Sequence, residues 1–455
     1  MLLDFRIKNY RSFHENQDGS PIHFSMRAGK VRGKKEHSCD VNGDKILKFA
    51  AIYGANASGK SNFIDAMEFM KKIVLRGVKR IDPFSYCKAD SRAINQDSLF
   101  EVEISSNGTV YKYGFRILIS SGCITEEWLF FRDTDGEFNR LFQRNVRDKN
   151  YLLCLDYFTE EDCNKLNIYI SDTVEEEEEL FLSVMNKNKK ALYEKNEKDR
   201  KMLYAFTDVY RWFKYNLLLR HPDKEYFDYR YLLEEGNIEK VDKLLEFFDT
   251  GIKKLRIVEV PVEQQLEQLP KEIKDIIRKN ITKVYQDPGE QVIVLRGPHQ
   301  FFVFELKKDC VICKNIQFEH EITDVLFNLD EESDGTVMLL DLLEIFMLSG
   351  QKTYLVDEFD RGLHPLLSKM FINKFLEYAA AQEVQLIITT LEQSLMDFSM
   401  LRRDEIWGVD KEKGKSKMFS LEDKNVRFDK KVDKAYLNRV YGAVPMFNES
   451  SFPNL

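Results

Sequence analysis

The octapeptide Gly54-Ala55-Asn56-Ala57-Ser58-Gly59-Lys60-Ser61 constrains this chain more than any other stretch. Two glycines separated by four residues and followed by lysine and serine form the phosphate-loop pattern, in which backbone N–H groups surround an anion and the lysine adds a point charge. Such a loop works only between a strand and a helix. The preceding "ILKFAAIY" is short and apolar, as a strand buried on both faces should be. After it Phe63, Met67, Met70 and Val74 recur at helical spacing. The loop and the helix N-terminus are expected to surround a β-phosphate, Lys60 to reach the β and γ phosphates, and Ser61 to hold Mg²⁺. A chance glycine-rich turn would not need both flanks to agree.

A loop that cuts ATP also needs one carboxylate for Mg²⁺ and a second to polarise water. "TYLVDEFD" supplies both, with an apolar strand over Tyr354–Val356 that ends in Asp357 and Glu358. Asp357 is expected as the Mg²⁺ partner and Glu358 as the catalytic base, the alternative being an acidic pair that merely caps a strand end. The two motifs lie far apart in sequence, so something large is inserted between them. Upstream of Asp357, "LDEESDGTVMLLDLL" sets Ser333 and Gly335 just before a helical pattern. On its own, Ser-Asp-Gly is ordinary turn and N-cap chemistry.

Composition narrows the class. A chain of 455 residues allows about three domains at roughly 150 residues each. At 43% hydrophobic and 32% charged it has the balance of an ordinary globular protein, and a net charge of −8 argues against coating nucleic acid by bulk charge. Asp4 and Arg6 interrupt the opening residues where a signal peptide would be apolar, and "VMLLDLLEIFML" is too short and too acidic to cross a bilayer, so a cytoplasmic location without membrane contact is expected. Seven cysteines fit a reducing compartment better than a disulfide framework. Cys310 and Cys313 have the spacing of half a zinc site, but without a second pair they read as small side chains on a strand.

Together "FRIKNYRSF", "GANASGKSN", "YKYGF", "ITEEWLFF", "ESDGT", "DEFDRGLHP", "LRRDEIW" and "YLNRVYGAVP" resemble the stand-alone OLD/RecF-like ABC-type ATPases, which include the RloA and abortive-infection AbiL types. The resemblance runs from the first residues to about 447. It implies an α/β fold: a P-loop ABC-type ATPase head built from both chain ends (1–145 and 291–455), with a mainly helical inserted lid or arm (146–290). It implies ATP and Mg²⁺ as ligands and a homodimer whose two heads sandwich two ATP molecules. Residue by residue it puts Gly54, Asn56, Gly59, Lys60 and Ser61 on the phosphates, and Arg11 and Ser12 at the nucleotide edge. Ser333 and Gly335 would meet the nucleotide held by the opposite subunit, and His364 would lie in the D-loop that couples the two sites. His364 is equally explained as a helix-start residue before Pro365.

One departure stands out. After "VQLIITT" the family usually has a histidine that senses the γ-phosphate, but this chain has Leu391, whose side chain donates no hydrogen bond. Slow turnover is expected, unless Leu391 simply packs as a core residue while Glu392 or another group has taken over.

The middle of the chain is charged and helix-patterned without heptads, so no long coiled coil is expected. The run Glu175 to Glu179 reads as the start of a helix capped by Ser171 or Thr173, with Lys187, Lys189 and Lys190 near its end. The basic stretches 27–35 and 71–80 read as solvated surface, with nucleic-acid contact left open. Too few residues follow Leu391 for a Toprim nuclease, so the effector, RloB-like or Toprim-type, is expected to be separately encoded. The resemblance therefore implies an ATP-switched dimer in anti-phage defence. A RecF-like DNA-repair clamp and a self-contained toxin are the alternatives.

Overall fold

Short apolar strands between charged loops assemble here into a mainly parallel sheet that takes strands from widely separated parts of the chain. The computed structural model describes residues 1–31, 33–79, 81–193, 202–222, 229–261, 292–297, 300–307, 310–321 and 325–424, with a few isolated positions besides. Those residues form two units, one of 1–219, 350–359 and 369–424, and one of 220–349 and 360–368. The stretch 146–290, expected as one insertion, is divided between them at Leu219 and Arg220. "YLNRVYGAVP" lies outside the described residues.

In the first unit, apart from Arg220, the strands β1 (Phe49–Tyr53), β2 (Leu217–Arg220), β3 (Lys352–Val356), β4 (Val384–Thr389), β5 (Ile406–Glu412) and β6 (Lys415–Ser420) form one sheet in the order β2-β3-β4-β1-β5-β6. Pairing is parallel from β3 through β4 and β1 to β5, and antiparallel between β5 and β6. Every residue of β1 and β4 is buried, which is why both read as short, mostly apolar runs. Helix α1 (Lys60–Arg76) follows β1, with Phe63, Met67, Met70 and Val74 all on its buried side. Phe63 packs edge-on against Phe5 and Phe24, at 5.7 and 5.0 Å between ring centres, and Phe24 in turn meets Trp407 of β5. Phe5 and Phe24 belong to a second, antiparallel sheet that contains Leu2–Lys8, Ile22–Ser25 and the strands between Ser98 and Leu153. Buried Gln385 ties the two sheets by accepting from Leu2 N–H at 2.6 Å and donating to Leu2 O at 2.8 Å.

The acidic run does not start a helix. It lies between helix Glu160–Thr173, capped by Thr159, and the short helix Phe181–Met185. The carbonyls of Thr173, Glu176 and Glu179 instead accept from the Arg144 guanidinium at 2.5, 3.2 and 2.6 Å, and those of Glu177 and Glu178 accept from Ile124 and Val78 N–H. Bonds from Arg144, Ile124 and Val78 to successive carbonyls hold this stretch in a loop conformation. Arg144 is wholly buried and pairs with equally buried Glu127 at 2.9 Å. Glu127 also accepts from Phe181 N–H, Leu182 N–H and the Tyr113 hydroxyl, whose pKa is driven well above its ordinary value by burial and then by the carboxylate. Arg144→Met is therefore expected to lower stability by about 3–5 kcal/mol, since it strands a buried carboxylate. Urea unfolding checks this, and a loss below about 1 kcal/mol would contradict it.

The second unit holds an antiparallel sheet in the order Ile252–Val260, Cys310–His320, Gln300–Lys307, Val292–Gly297. It also holds helices Asn237–Phe247 and α2 (Asp334–Met347). Inside it the Tyr231 hydroxyl donates to Leu340 O at 2.7 Å and Arg220 pairs with Asp341 at 2.9 Å. Cys310 and Cys313 share one strand, and burial pushes the Cys313 thiol up to about 12, away from the thiolate that a metal needs. Among the described residues no helix is long and apolar enough to cross a membrane.

Candidate functional site

Parallel pairing aligns the carboxyl ends of β3, β4 and β1, the edge of an open α/β sheet where ligands bind. Residues 54–59 leave β1 at this edge and deliver Lys60 as the first residue of α1. Lys60 Nζ donates to the carbonyls of Gly54 at 2.8 Å and Ala55 at 3.2 Å, so its charge lies across the loop. Asn56, Ala57 and Ser61 are exposed, and Ala57 adopts a positive φ of 62° that turns the loop back on itself.

A layer of serines backs the loop. The Ser416 hydroxyl, from β6, donates to Ser58 O at 2.5 Å and lies 2.7 Å from Ser12 Oγ, which also accepts from Asn62 Nδ2 at 2.7 Å. The Ser416 N–H donates to Ser12 O at 2.8 Å. Gly59, at φ 117°, fits only because it has no side chain: a Cβ there would stand 2.4 Å from Ser416 Oγ and 2.7 Å from Ser12 Oγ. Ser12 is thus buried beneath the loop, while Arg11 reaches outward to Asp65 at 3.3 Å.

Beside the loop lies a cleft of about 510 Å³ lined by Arg11, Ser12, Asn62, Phe84, Lys88 and Lys411. Lys411 Nζ donates to Ala57 O at 3.1 Å, which ties the cleft's rim to the loop, and Lys88 sits over the exposed Phe84 ring at 5.4 Å.

At the end of β3, Asp357 is buried and Glu358 exposed. The Thr389 hydroxyl, from the end of β4, lies between them, donating to Asp357 Oδ1 at 2.5 Å and accepting from Glu358 N–H at 2.9 Å. Leu391, two positions on, is 50% exposed, so it does not pack as a core residue. Glu392 accepts from Ser394 N–H at 2.9 Å.

The first unit therefore brings together Ser12, Gly54, Gly59, Lys60, Asp357 and Glu358 at one sheet edge. Ser333, Gly335 and His364 belong to the second unit. Ser333 caps α2 by accepting from Thr336 N–H at 3.1 Å and is exposed. Gly335 packs against Gly362, whose carbonyl would stand 2.5 Å from a Cβ at position 335. His364 is exposed and its Nδ1 accepts from Leu366 N–H at 3.2 Å, as a residue at a helix start does.

Sequence reasoning missed Ser416 and Thr389. Ser416 carries no local signal, because only pairing in the sheet brings it to the loop. Thr389 had one: a hydroxyl directly after the apolar run Leu386–Ile388.

In the basic stretches Lys30, Lys35, Lys72, Arg76 and Lys79 are exposed, while three other cations are committed within the chain. Arg27 binds Asp4 and Glu103, both at 2.7 Å, and Lys34 donates to Phe398 O at 2.6 Å. Half-buried Lys71 donates to Leu217 O at 2.6 Å, and desolvation pushes its amine down to about 8. Arg32 and Arg80 lie outside the described residues.

Among solved structures, the chain is similar to an SMC head bound to the C-winged helix domain of ScpA, at 13% identity over 93% of this chain and 99% of that one, with a TM-score of 0.42. It is also similar to the SMC head domain from Thermotoga maritima, at 14% identity over 92% and 98%, with a TM-score of 0.32. Likenesses of this size decide neither function nor partners. No curated protein sequence matches. A sequence model for the family described as "AAA domain, putative AbiEii toxin, Type IV TA system" matches residues 49–153 and 161–397, which include the phosphate loop, Asp357, Glu358 and Thr389. With the strands that carry residues 49–53, 352–356 and 384–389 adjacent in one α/β sheet and the phosphate loop at its edge, the chain is a P-loop ATP-binding ATPase that belongs to this AAA-domain family.

Proposed function

We propose that the chain is a nucleotide-switched homodimer of the OLD/RecF-like type, the ATPase component of an RloA- or AbiL-like anti-phage system that controls a separately encoded effector. The observation that carries this reading is the meeting of the phosphate loop with the Asp357–Glu358 turn at one sheet edge. Lys60 and the loop N–H groups would hold the phosphates, Ser61 and Asp357 would hold Mg²⁺, and Glu358 would take a proton from the attacking water. The glycine-only fit at position 59 suits a loop that must keep its backbone open to an anion. Bound Mg²⁺ supplies charge neutralisation at the transferred phosphate. The cleft beside Arg11 has the size of a small-ligand site and would take the nucleoside end.

Exposed Ser333, capping a 14-residue helix, favours an anion held from outside the unit, as an ATP-bridged pair of heads requires. Glu358→Gln mixed with Mg·ATP should double in mass by light scattering and stay single with Mg·ADP. Equal masses in both would contradict the switch. Commitment of Arg27, Lys34 and Lys71 within the chain lends the RecF-like clamp less support. A co-transcribed nuclease-like gene supports the defence reading, and repair genes beside this one oppose it.

Leu391 marks where turnover would be limited. Leu391→His should raise phosphate release by about tenfold, less than the ~10²-fold that one well-placed donor is worth, because no shell is shaped to hold an imidazole there. Unchanged turnover with intact ATP affinity would show that the missing donor does not limit the rate.

A further inference from the structure

Backbone strain sits at the turn where hydrolysis is assigned. Glu358 has φ 50°, a left-handed conformation that costs a non-glycine residue about 1–3 kcal/mol and persists only where neighbours enforce it. One such neighbour is Thr389, which is fully buried at the end of β4. Register sets it there: Val356 pairs with Ile388, so the next residue of each strand, Asp357 and Thr389, come side by side. The Thr389 hydroxyl accepts from Glu358 N–H at 2.9 Å and donates to Asp357 Oδ1 at 2.5 Å, and its carbonyl accepts from Phe359 N–H at 3.0 Å. One residue thus holds three consecutive positions of the turn.

A hydroxyl is what this place needs. It has one proton to give to the carboxylate and lone pairs to receive the N–H, whereas an amide is bulkier and a methyl does neither. Losing the Glu358 N–H contact would free φ to return to the negative region. That turns the Cα–Cβ bond and re-aims a carboxylate whose own side chain is exposed.

We propose that Thr389 is a positioning residue for ATP hydrolysis, its hydroxyl holding Glu358 in the left-handed conformation and fixing the Asp357 carboxylate beside it. This rests on the assignment of Glu358 as base and Asp357 as Mg²⁺ partner. Thr389 does not touch the nucleotide in this scheme, so its loss separates kcat from KM.

The test measures phosphate release against ATP concentration, at saturating Mg²⁺, for the full chain carrying Thr389→Val, Thr389→Ser or Glu358→Gln. Thr389→Val keeps the shape and removes the hydroxyl. A misplacement of about 1 Å costs up to ~10²-fold, so its kcat should fall by about tenfold to a hundredfold, with KM for ATP within about twofold. In a separate Mg²⁺ titration at saturating ATP, half-saturation by Mg²⁺ should also move to higher concentration. Thr389→Ser should restore kcat to within about threefold of the parent. Thr389→Ala, which leaves space rather than bulk, is read in the same way should the valine variant not fold. Loss of turnover in Glu358→Gln with unchanged kcat in Thr389→Val overturns this inference alone, as does an equal loss in the valine and serine variants. Unchanged turnover in Glu358→Gln overturns the catalytic assignment and this inference with it.

Discussion

Lys60→Ala is expected to weaken Mg·ATP binding by ~10²-fold or more while leaving the urea midpoint almost unmoved. The lysine makes its hydrogen bonds to the carbonyls of Gly54 and Ala55, at a half-exposed position on the first turn of α1. No core side chain is lost, and the packing of Phe63 and Met67 beneath the helix is untouched. The Ser12–Ser416–Ser58 layer continues to support the loop from behind. What disappears is the charge that spans the loop mouth, so the loss falls on the ligand and not on the fold. Calorimetric titration beside a urea melt separates the two. Unchanged affinity would remove the phosphate site from residues 54–61, and a collapsed melt would make Lys60 a structural residue.

Glu358→Gln should lower phosphate release by ~10²-fold to 10⁴-fold with ATP affinity preserved. The amide keeps the shape of the side chain and leaves the Glu358 N–H bond to Thr389 in place, but it cannot accept a proton from water. Because Glu358 is exposed and Asp357 is the buried member of the pair, the change should neither alter packing nor weaken the Mg²⁺ partner. Steady-state phosphate release at saturating Mg·ATP checks it. Turnover within about threefold of the parent would mean that another group does the work of the base.

The parts of the site that were legible in the sequence are those that local chemistry dictates. Gly54 to Ser61 announce themselves because a phosphate loop needs glycine at fixed places, and the buried strand and helix beside it follow from apolar spacing. Ser333 was readable as an N-cap for the same reason. Tertiary contacts supplied what was not legible. Five consecutive glutamates after Ser171 and Thr173 look like a helix start, yet buried Arg144 takes three of the carbonyls between Thr173 and Glu179 and holds a loop instead. Ser416 backs the phosphate loop from a strand near the far end of the described chain, which no spacing rule reaches. At the end of β4 the absent histidine drew the eye to Leu391, while the geometry rests on Thr389 two residues earlier.

Phosphate release by the purified chain with Mg·ATP, set beside Lys60→Ala and Glu358→Gln under the same conditions, tests the central claim most directly. The account predicts turnover in the parent, a loss of ~10²-fold or more in either variant, and, of the two variants, retained ATP binding in Glu358→Gln alone. Parent turnover that survives both substitutions would contradict it, because hydrolysis would then occur away from the edge shared by β1, β3 and β4.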